Sequence, residues 1–222
     1  MGTDVNPTAA VNPNEASIQA LAARPDNDAI IMVNLLKFRP DGGRDAYARY
    51  GAVASGTVRE RGGSIAYSAP VICGDAWDQV TLVRYPRRAA YLDMQSDPAY
   101  IGAIPDRTKG LSARLLYPFH DPEGDPDDSF RIERSGGDEV FVVRLGQRAD
   151  GDPSSRGGAV PGSGAVSGSG GSQVVLLLHG DVAMVSDDRW DELTITRFPS
   201  VESVELDADD TTAIVLITQP SS

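Results

Sequence analysis

The sequence predicts an α+β fold in which one β-α-β-β-α-β unit occurs twice in a single chain. Two observations carry this. Residues 28–120 alternate short apolar runs with amphipathic stretches in that order. Part of the same pattern then returns: Trp77 to Pro86 matches Trp190 to Pro199 at an offset of 113, with Trp, Asp, Thr, Arg and Pro identical. Asp28 to Leu35 matches Asp138 to Leu145 at an offset of 110. A length of 222 residues, 41% hydrophobic, allows one or two domains with a real core.

Taken in order, residues 1–13 read as a flexible tail. Asn14 is placed to cap a short helix from Glu15 to Arg24, which Pro25 stops. Ala29 to Phe38 is too rich in β-branched and large apolar residues for a helix and reads as a strand. Arg44 to Arg61 carries Tyr47, Tyr50, Ala54 and Val58 as one helical stripe, ended by Gly62-Gly63. Ser64 to Cys73 is a strand interrupted at Pro70, hence an edge or bulged strand. Trp77 to Tyr85 alternates with period two. Pro86 opens a second helix that resumes after Ser96-Asp97-Pro98 towards Leu111, and Ala113 to Phe119 closes the unit.

The expected organisation is a tail and short helix over 1–27, a first ferredoxin-like half over 28–120, an acidic linker over 121–137 and a degenerate second half over 138–220. Where the first half has its long helix, the second has residues 151–172, with 8 glycines and 6 serines, a composition suited to a mobile loop. Its second helix is cut to about Ser200–Asp207. One face of each sheet is left without helices, so the two halves are expected to close on each other as a pseudo-dimeric α/β barrel. A monomer or a weak homodimer follows.

Charge narrows the partners. Twenty Lys and Arg against 32 Asp and Glu leave −12, which disfavours nucleic acid and anionic membrane surfaces. No stretch approaches the ~18 apolar residues of a membrane span, and the N-terminus lacks the order of a signal peptide, so a cytoplasmic protein is expected. One cysteine, Cys73, excludes intrachain disulfides and reads as a small buried hydrophobe. The expected partner is a small molecule.

Alternation suggests which side chains face the shared chamber. Ile31, Val33 and Leu35 suit the helix side, leaving Met32, Asn34 and Phe38 inside. Val80 and Leu82 likewise leave Gln79, Thr81 and Tyr85 inside; the second half contributes Arg144, Glu192 and Thr194. Such an interior, apolar with a few polar groups, suits a small-molecule pocket.

Met32 to Phe38, Tyr47 with Tyr50, Gly62-Gly63, the Trp77 strand ending at Tyr85-Pro86, and Ser96 to Tyr100 resemble the domain-of-unknown-function 1330 family. Residues 28–120 resemble it throughout. The second copy resembles it at Gly170-Gly171 and Trp190 to Glu202 and departs from it at both helices. The resemblance implies the dimeric α/β-barrel superfamily, which includes cofactor-free monooxygenases, aromatic polyketide cyclases, muconolactone isomerases and haem-binding enzymes. It carries over no catalytic residue.

The candidate catalytic residues are His179, at a strand end and able to shuttle protons; Arg144, which needs an anion such as Glu192 or a substrate enolate; and Asn34, a donor to an oxyanion. Met32, Phe38, Tyr67, Gln79, Thr81, Tyr85, Glu192 and Thr194 are the candidate substrate contacts. His120 reads as a linker residue, and Trp77 and Trp190 as core anchors at strand starts. Two histidines make no metal site, and no cofactor is expected. The reading is a cofactor-independent enzyme of secondary metabolism that cyclises or isomerises an aromatic or polyketide-like molecule, with oxygenation next. The alternative is a binding or accessory protein without turnover, and a third reading has a self-filled pocket and a role in association.

Overall fold

A computed structural model describes residues 11–120, 138–147, 166–167, 173–180, 183–186, 189–206 and 213–219. The expected linker 121–137 and most of the Gly/Ser-rich stretch lie outside them. The fold is α+β and ferredoxin-like, and among the described residues no helix is long and apolar enough to cross a membrane.

The first half runs α1 (Glu15–Ala22), β1 (Ile30–Phe38), α2 (Gly43–Glu60), β2 (Ser64–Pro70), β3 (Gln79–Tyr85), α3 (Arg88–Gln95), α4 (Pro98–Gly110) and β4 (Leu111–His120). Local chemistry sets the ends. Asn14 caps α1 by accepting from the Ser17 amide at 2.8 Å, and Asp97 caps α4 by accepting from the Ala99 amide at 2.8 Å. Gly62 ends the turn after α2 at φ +74, a conformation that favours glycine. Helices α2 and α4 approach closely because Gly43 and Gly110 lack side chains; a Cβ on Gly43 would lie 2.7 Å from the Gly110 carbonyl.

The second half supplies β5 (Val140–Gly146), β6 (Val166–Ser167), β7 (Gln173–Gly180), β8 (Glu192–Phe198), a 3-10 turn (Val201–Ser203), β9 (Glu205–Leu206) and β10 (Ala213–Thr218). The 3-10 turn stands where the shortened helix was expected. Strands β6 and β9 form a separate ribbon, and the other eight form one sheet in the order β10-β5-β8-β7-β4-β1-β3-β2.

Pairing registers repeat between halves. Ile30 opposes Tyr85 on β1/β3, and its counterpart Val140 opposes Phe198 on β5/β8. The register shift between Ile65 and Tyr67 on β2 recurs between Val174 and Leu176 on β7. The Trp-Asp dipeptide also works twice: the Asp78 amide donates to the Leu36 carbonyl at 2.8 Å, and the Asp191 amide to the Gly146 carbonyl at 3.0 Å. The halves join where β4 meets β7, at Phe119 and Gly180, and the sheet curls until its edges touch, Val71 bridging Thr218.

Inside that curl the face expectation inverts. Ile31, Val33 and Leu35 point inward and pack in one core with Val80, Leu82, Phe141, Val143, Leu145, Leu193 and Ile195. Ile30, Met32 and Tyr85 pack instead under the helices with Tyr50, Tyr91, Met94 and Tyr100. Residues grouped together do share a face, but the face is the other one. The space between the halves receives mainly apolar sheet side chains, with Trp77 and Trp190 from the strand approaches, and takes the driest set. The helix side brings tyrosines and arginines, so it can satisfy Asn34.

Three further expectations are corrected. Val11 is fully buried and Asn12 holds Arg107, so the end of the supposed tail is pinned to the helices. Cys73 is exposed. His120 ends β4, where it pairs with His179 along the backbone and lies 3.4 Å from Arg88, rather than in a linker. Trp77 and Trp190 both pack on the central core, as expected of anchors.

Candidate functional site

The inverted faces move the candidate site. The space between the halves is filled by side chains, whereas a cavity of about 220 Å³ lies within the first half, between the sheet and its helices. Tyr47, Tyr50, Tyr85, Tyr91 and Tyr100 surround it, with Met32 and Met94. Small residues on one face of α2, Gly51, Ala54 and Ser55, leave the room.

Two buried arginines act here: Arg114 lines the cavity, and Arg107 stands behind its wall against Tyr50 and Tyr100. Arg114, on β4 and buried, donates through Nε (3.1 Å) and Nη2 (2.6 Å) to Asn34 Oδ1 and through Nη1 to the Val11 carbonyl at 3.3 Å. Arg107, on α4, is 1% exposed and donates to Asn12 Oδ1, Tyr50 and Tyr100. Neither meets a carboxylate among the described residues. A buried cation with only neutral partners is costly, and an anion entering the cavity would offset that cost.

The phenols differ from one another. Burial pushes Tyr47, Tyr50, Tyr85 and Tyr91 above the ordinary tyrosine range. Burial also acts to raise Tyr100, but the charges of Arg107 and then Arg114 outweigh it and hold this phenol below its usual value. The Tyr91 hydroxyl is buried and has no hydrogen-bond partner among the described residues, although it lines the cavity.

Of the sequence candidates, Met32, Asn34, Gln79, Thr81 and Tyr85 line this cavity. Asn34 does not have the expected role: its Nδ2 donates to the carbonyls of Met32 (3.1 Å) and Thr81 (3.3 Å), so both amide protons are taken. It holds Arg114 instead. Phe38 packs with Val11, Leu36 and Leu111 outside the lining, with the Arg44 guanidinium over its ring. Tyr67 faces the central core, its hydroxyl 2.6 Å from that of Thr218.

The second-half candidates are on another surface. Val140, Val142 and Phe198 mark the outer face of β5 and β8, and Arg144, Glu192 and Thr194 share it by alternation. The Arg144 guanidinium lies against Gly146, and neither it nor Glu192 nor Thr194 reaches the first-half cavity. Only the backbone of His179 is among the described parts; it pairs with Glu192. No group of three or more His, Cys, Asp or Glu side chains converges among the described residues.

Arg114, Arg107, Tyr91 and Tyr100 were missed as site residues. Arg114 had a readable signal: it is the one charge inside an otherwise apolar closing strand.

No family model matches the chain, and no curated protein matches it. Among solved structures it is similar to a protein of unknown function from Rhodopseudomonas palustris, at 26% identity and a TM-score of 0.46, covering 49% of this chain and 93% of that one. A methylated form of that protein matches at the same identity over 51% and 97%. The chain is also similar to a mutant chlorite dismutase from Candidatus Nitrospira defluvii, at 12% identity and a TM-score of 0.44, covering 91% and 95%.

Proposed function

We propose that the first half receives a small aromatic or enolisable carboxylate in its tyrosine-lined cavity and moves a proton on it without a cofactor, isomerising or cyclising it. The observation that carries this reading is Arg114, a buried cation at the cavity wall whose partners are all neutral. An anionic oxygen beside it supplies the missing countercharge. The unpartnered Tyr91 hydroxyl is a second donor for the same oxygen. The cavity's size favours one ring with a side chain over a polycyclic polyketide.

The reading extends to the whole chain: two copies related to the 1330 family, closed on each other as a pseudo-dimeric barrel, working as a monomer. Matching registers and bulges in the two halves support it. The second half then serves as the wall that covers the first half's sheet.

The test uses cinnamate and its neutral counterpart cinnamamide. Cinnamate is expected to raise the melting temperature and to give a calorimetric binding signal, cinnamamide to bind at least tenfold more weakly, and Arg114→Met to remove that preference. Equal binding of both compounds, or binding indifferent to Arg114, overturns the reading. Turnover is read as deuterium uptake from heavy water into phenylpyruvate beyond the buffer rate. Binding without turnover is the second reading, favoured by Asn34, whose amide protons are already committed to backbone carbonyls.

A further inference from the structure

Tyr100 is in the first turn of α4, and its oxygen accepts two hydrogen bonds: from Arg107 Nη1 at 2.7 Å and from the Tyr50 hydroxyl at 3.3 Å. The same Arg107 nitrogen also donates to Tyr50 at 3.2 Å. The guanidinium carbon of Arg107 lies 5.1 Å from the Tyr50 ring centre and 5.6 Å from that of Tyr100. Around this buried cation stand an amide oxygen and two phenols. Of the phenols, Tyr50 donates and Tyr100 receives. Two donors aimed at one phenolic oxygen favour its charged form, and the Gln95 side chain also hydrogen-bonds to this phenol.

We propose that Tyr100 is the group that takes up and returns protons in this cavity, with Arg107 as the positioning residue that prepares its oxygen to carry charge. The proposal rests on reading the cavity as a small-molecule site, and assigns the chemistry within it. The titratable and charged groups facing Tyr100 are Tyr47 and Tyr50 from α2, Tyr85 from β3, Tyr91 from α3, Arg107 from its own helix and Arg114 from β4. They comprise neutral phenols and cations, so the surrounding charge favours a phenolate.

The step balances without a co-reactant. The Tyr100 phenolate takes a proton from the carbon beside the ligand's carbonyl; that C–H bond breaks and the phenol O–H forms. The electron pair moves onto the carbonyl oxygen as an enolate, beside Arg114. Where a double bond next to that carbon extends the enolate, delivery of the same proton to the far carbon shifts the double bond, gives the isomer and restores the phenolate, with nothing oxidised or reduced. The expected substrate is therefore an enolisable oxo acid, its enolate or carboxylate oxygen towards Arg114.

The test is an ultraviolet difference titration of the folded chain, in which each of the 7 tyrosines absorbs differently once ionised. One tyrosine is expected to ionise below the ordinary value of about 10. That step is absent from Tyr100→Phe, and Arg107→Gln moves it upward by about one pH unit or more, whereas Arg107→Lys keeps part of the effect. Tyr50→Phe removes one donor at little cost in volume, raises the step by less, and serves where Arg107→Gln does not fold. No low step in the native chain, or a low step that survives in Tyr100→Phe, overturns the proposal. If cinnamate binds while no low step exists, the proton-transfer role fails and the binding site stands. If the step exists and cinnamate neither binds nor shifts it, the binding reading fails and the ionisation of Tyr100 stands.

Discussion

Arg114 and Asn34 face each other from neighbouring strands, and two guanidinium nitrogens end on one amide oxygen, at 3.1 and 2.6 Å. Asn34 in turn gives both its protons to backbone carbonyls, so it is fixed from behind and presents only its oxygen. The arrangement explains why a polar side chain sits in the middle of a strand otherwise apolar on both faces. It orients a charge at a cavity wall.

Asn34→Ala removes the only side-chain acceptor of Arg114 among the described residues and leaves the cation buried. A loss of about 2–3 kcal/mol in urea unfolding is expected, because charged groups left unsatisfied cost that much or more. Arg114→Met combined with Asn34→Leu should recover most of it, since both partners then become apolar. Strictly additive losses in the double-mutant cycle would show that the two residues do not act together.

Asp78 provides the pH-dependent test. Its carboxylate accepts from the Phe38 amide at 2.7 Å and from Lys37 Nζ at 3.0 Å. Partial burial acts to raise its pKa, but these two donors outweigh it and hold the group below the ordinary carboxylate range. A lowered folded-state pKa stabilises the fold fully above the unfolded value of about 3.9, and the contribution is lost as pH falls through the folded value. Asp78→Asn is therefore expected to cost about 1–2 kcal/mol at neutral pH and progressively less below about pH 4. Paired urea melts at pH 7 and pH 3 measure the difference, and a constant gap at both would rule out the ionised carboxylate as its source.

The likeness of Trp77–Pro86 to Trp190–Pro199 was readable because the residues themselves recur, and the two strands share a pairing register: Thr81 opposes Asn34, and Thr194 opposes Arg144. Which face looks inward was not readable. Every residue of β1 except Lys37 is buried, so period-two alternation carries no solvent side from which to orient it. Asn34 then looked like a pocket residue of the central space, although its partner Arg114 comes from a strand 80 positions later on the helix side. The tyrosines were visible as a helical stripe and as part of the family resemblance. Their convergence on one cavity depends on α2, α3 and α4 packing together, which no local pattern encodes.

Leu35→Ala separates the two faces. Leu35 is fully buried in the core between the halves, so its truncation should cost about 2–5 kcal/mol while leaving cinnamate affinity within about twofold. Denaturant melts and calorimetry read the two quantities independently. A large loss of affinity with little loss of stability would put this side chain at the ligand, on the face where the structure places none of the cavity lining.

Tyr67→Phe tests the contact between halves. The Tyr67 hydroxyl lies 2.6 Å from Thr218 Oγ1, which donates to the Phe141 carbonyl at 2.9 Å, so a first-half side chain joins two second-half strands. Removing one hydroxyl should cost about 1 kcal/mol, and Thr218→Val should cost less in that background than it does alone, because only its bond to the Phe141 carbonyl is then left to lose. If the two substitutions are fully additive, the chain of hydrogen bonds across this junction does not contribute as a unit.

Ala54→Phe tests the cavity itself. Ala54 lies on α2 with Gly51 and Ser55, the small residues that leave the space open, and a ring at this position projects into it. Filling an existing void without displacing core atoms usually changes stability by no more than about 1–2 kcal/mol in either direction. The variant should therefore melt close to the parent chain and fail to bind cinnamate. Its tyrosine titration should keep the low step if the ring leaves Arg107 and Tyr100 in contact, because that contact lies within and behind the wall and does not depend on a ligand. A variant that melts normally and still binds cinnamate at parental affinity would place the ligand elsewhere on the protein.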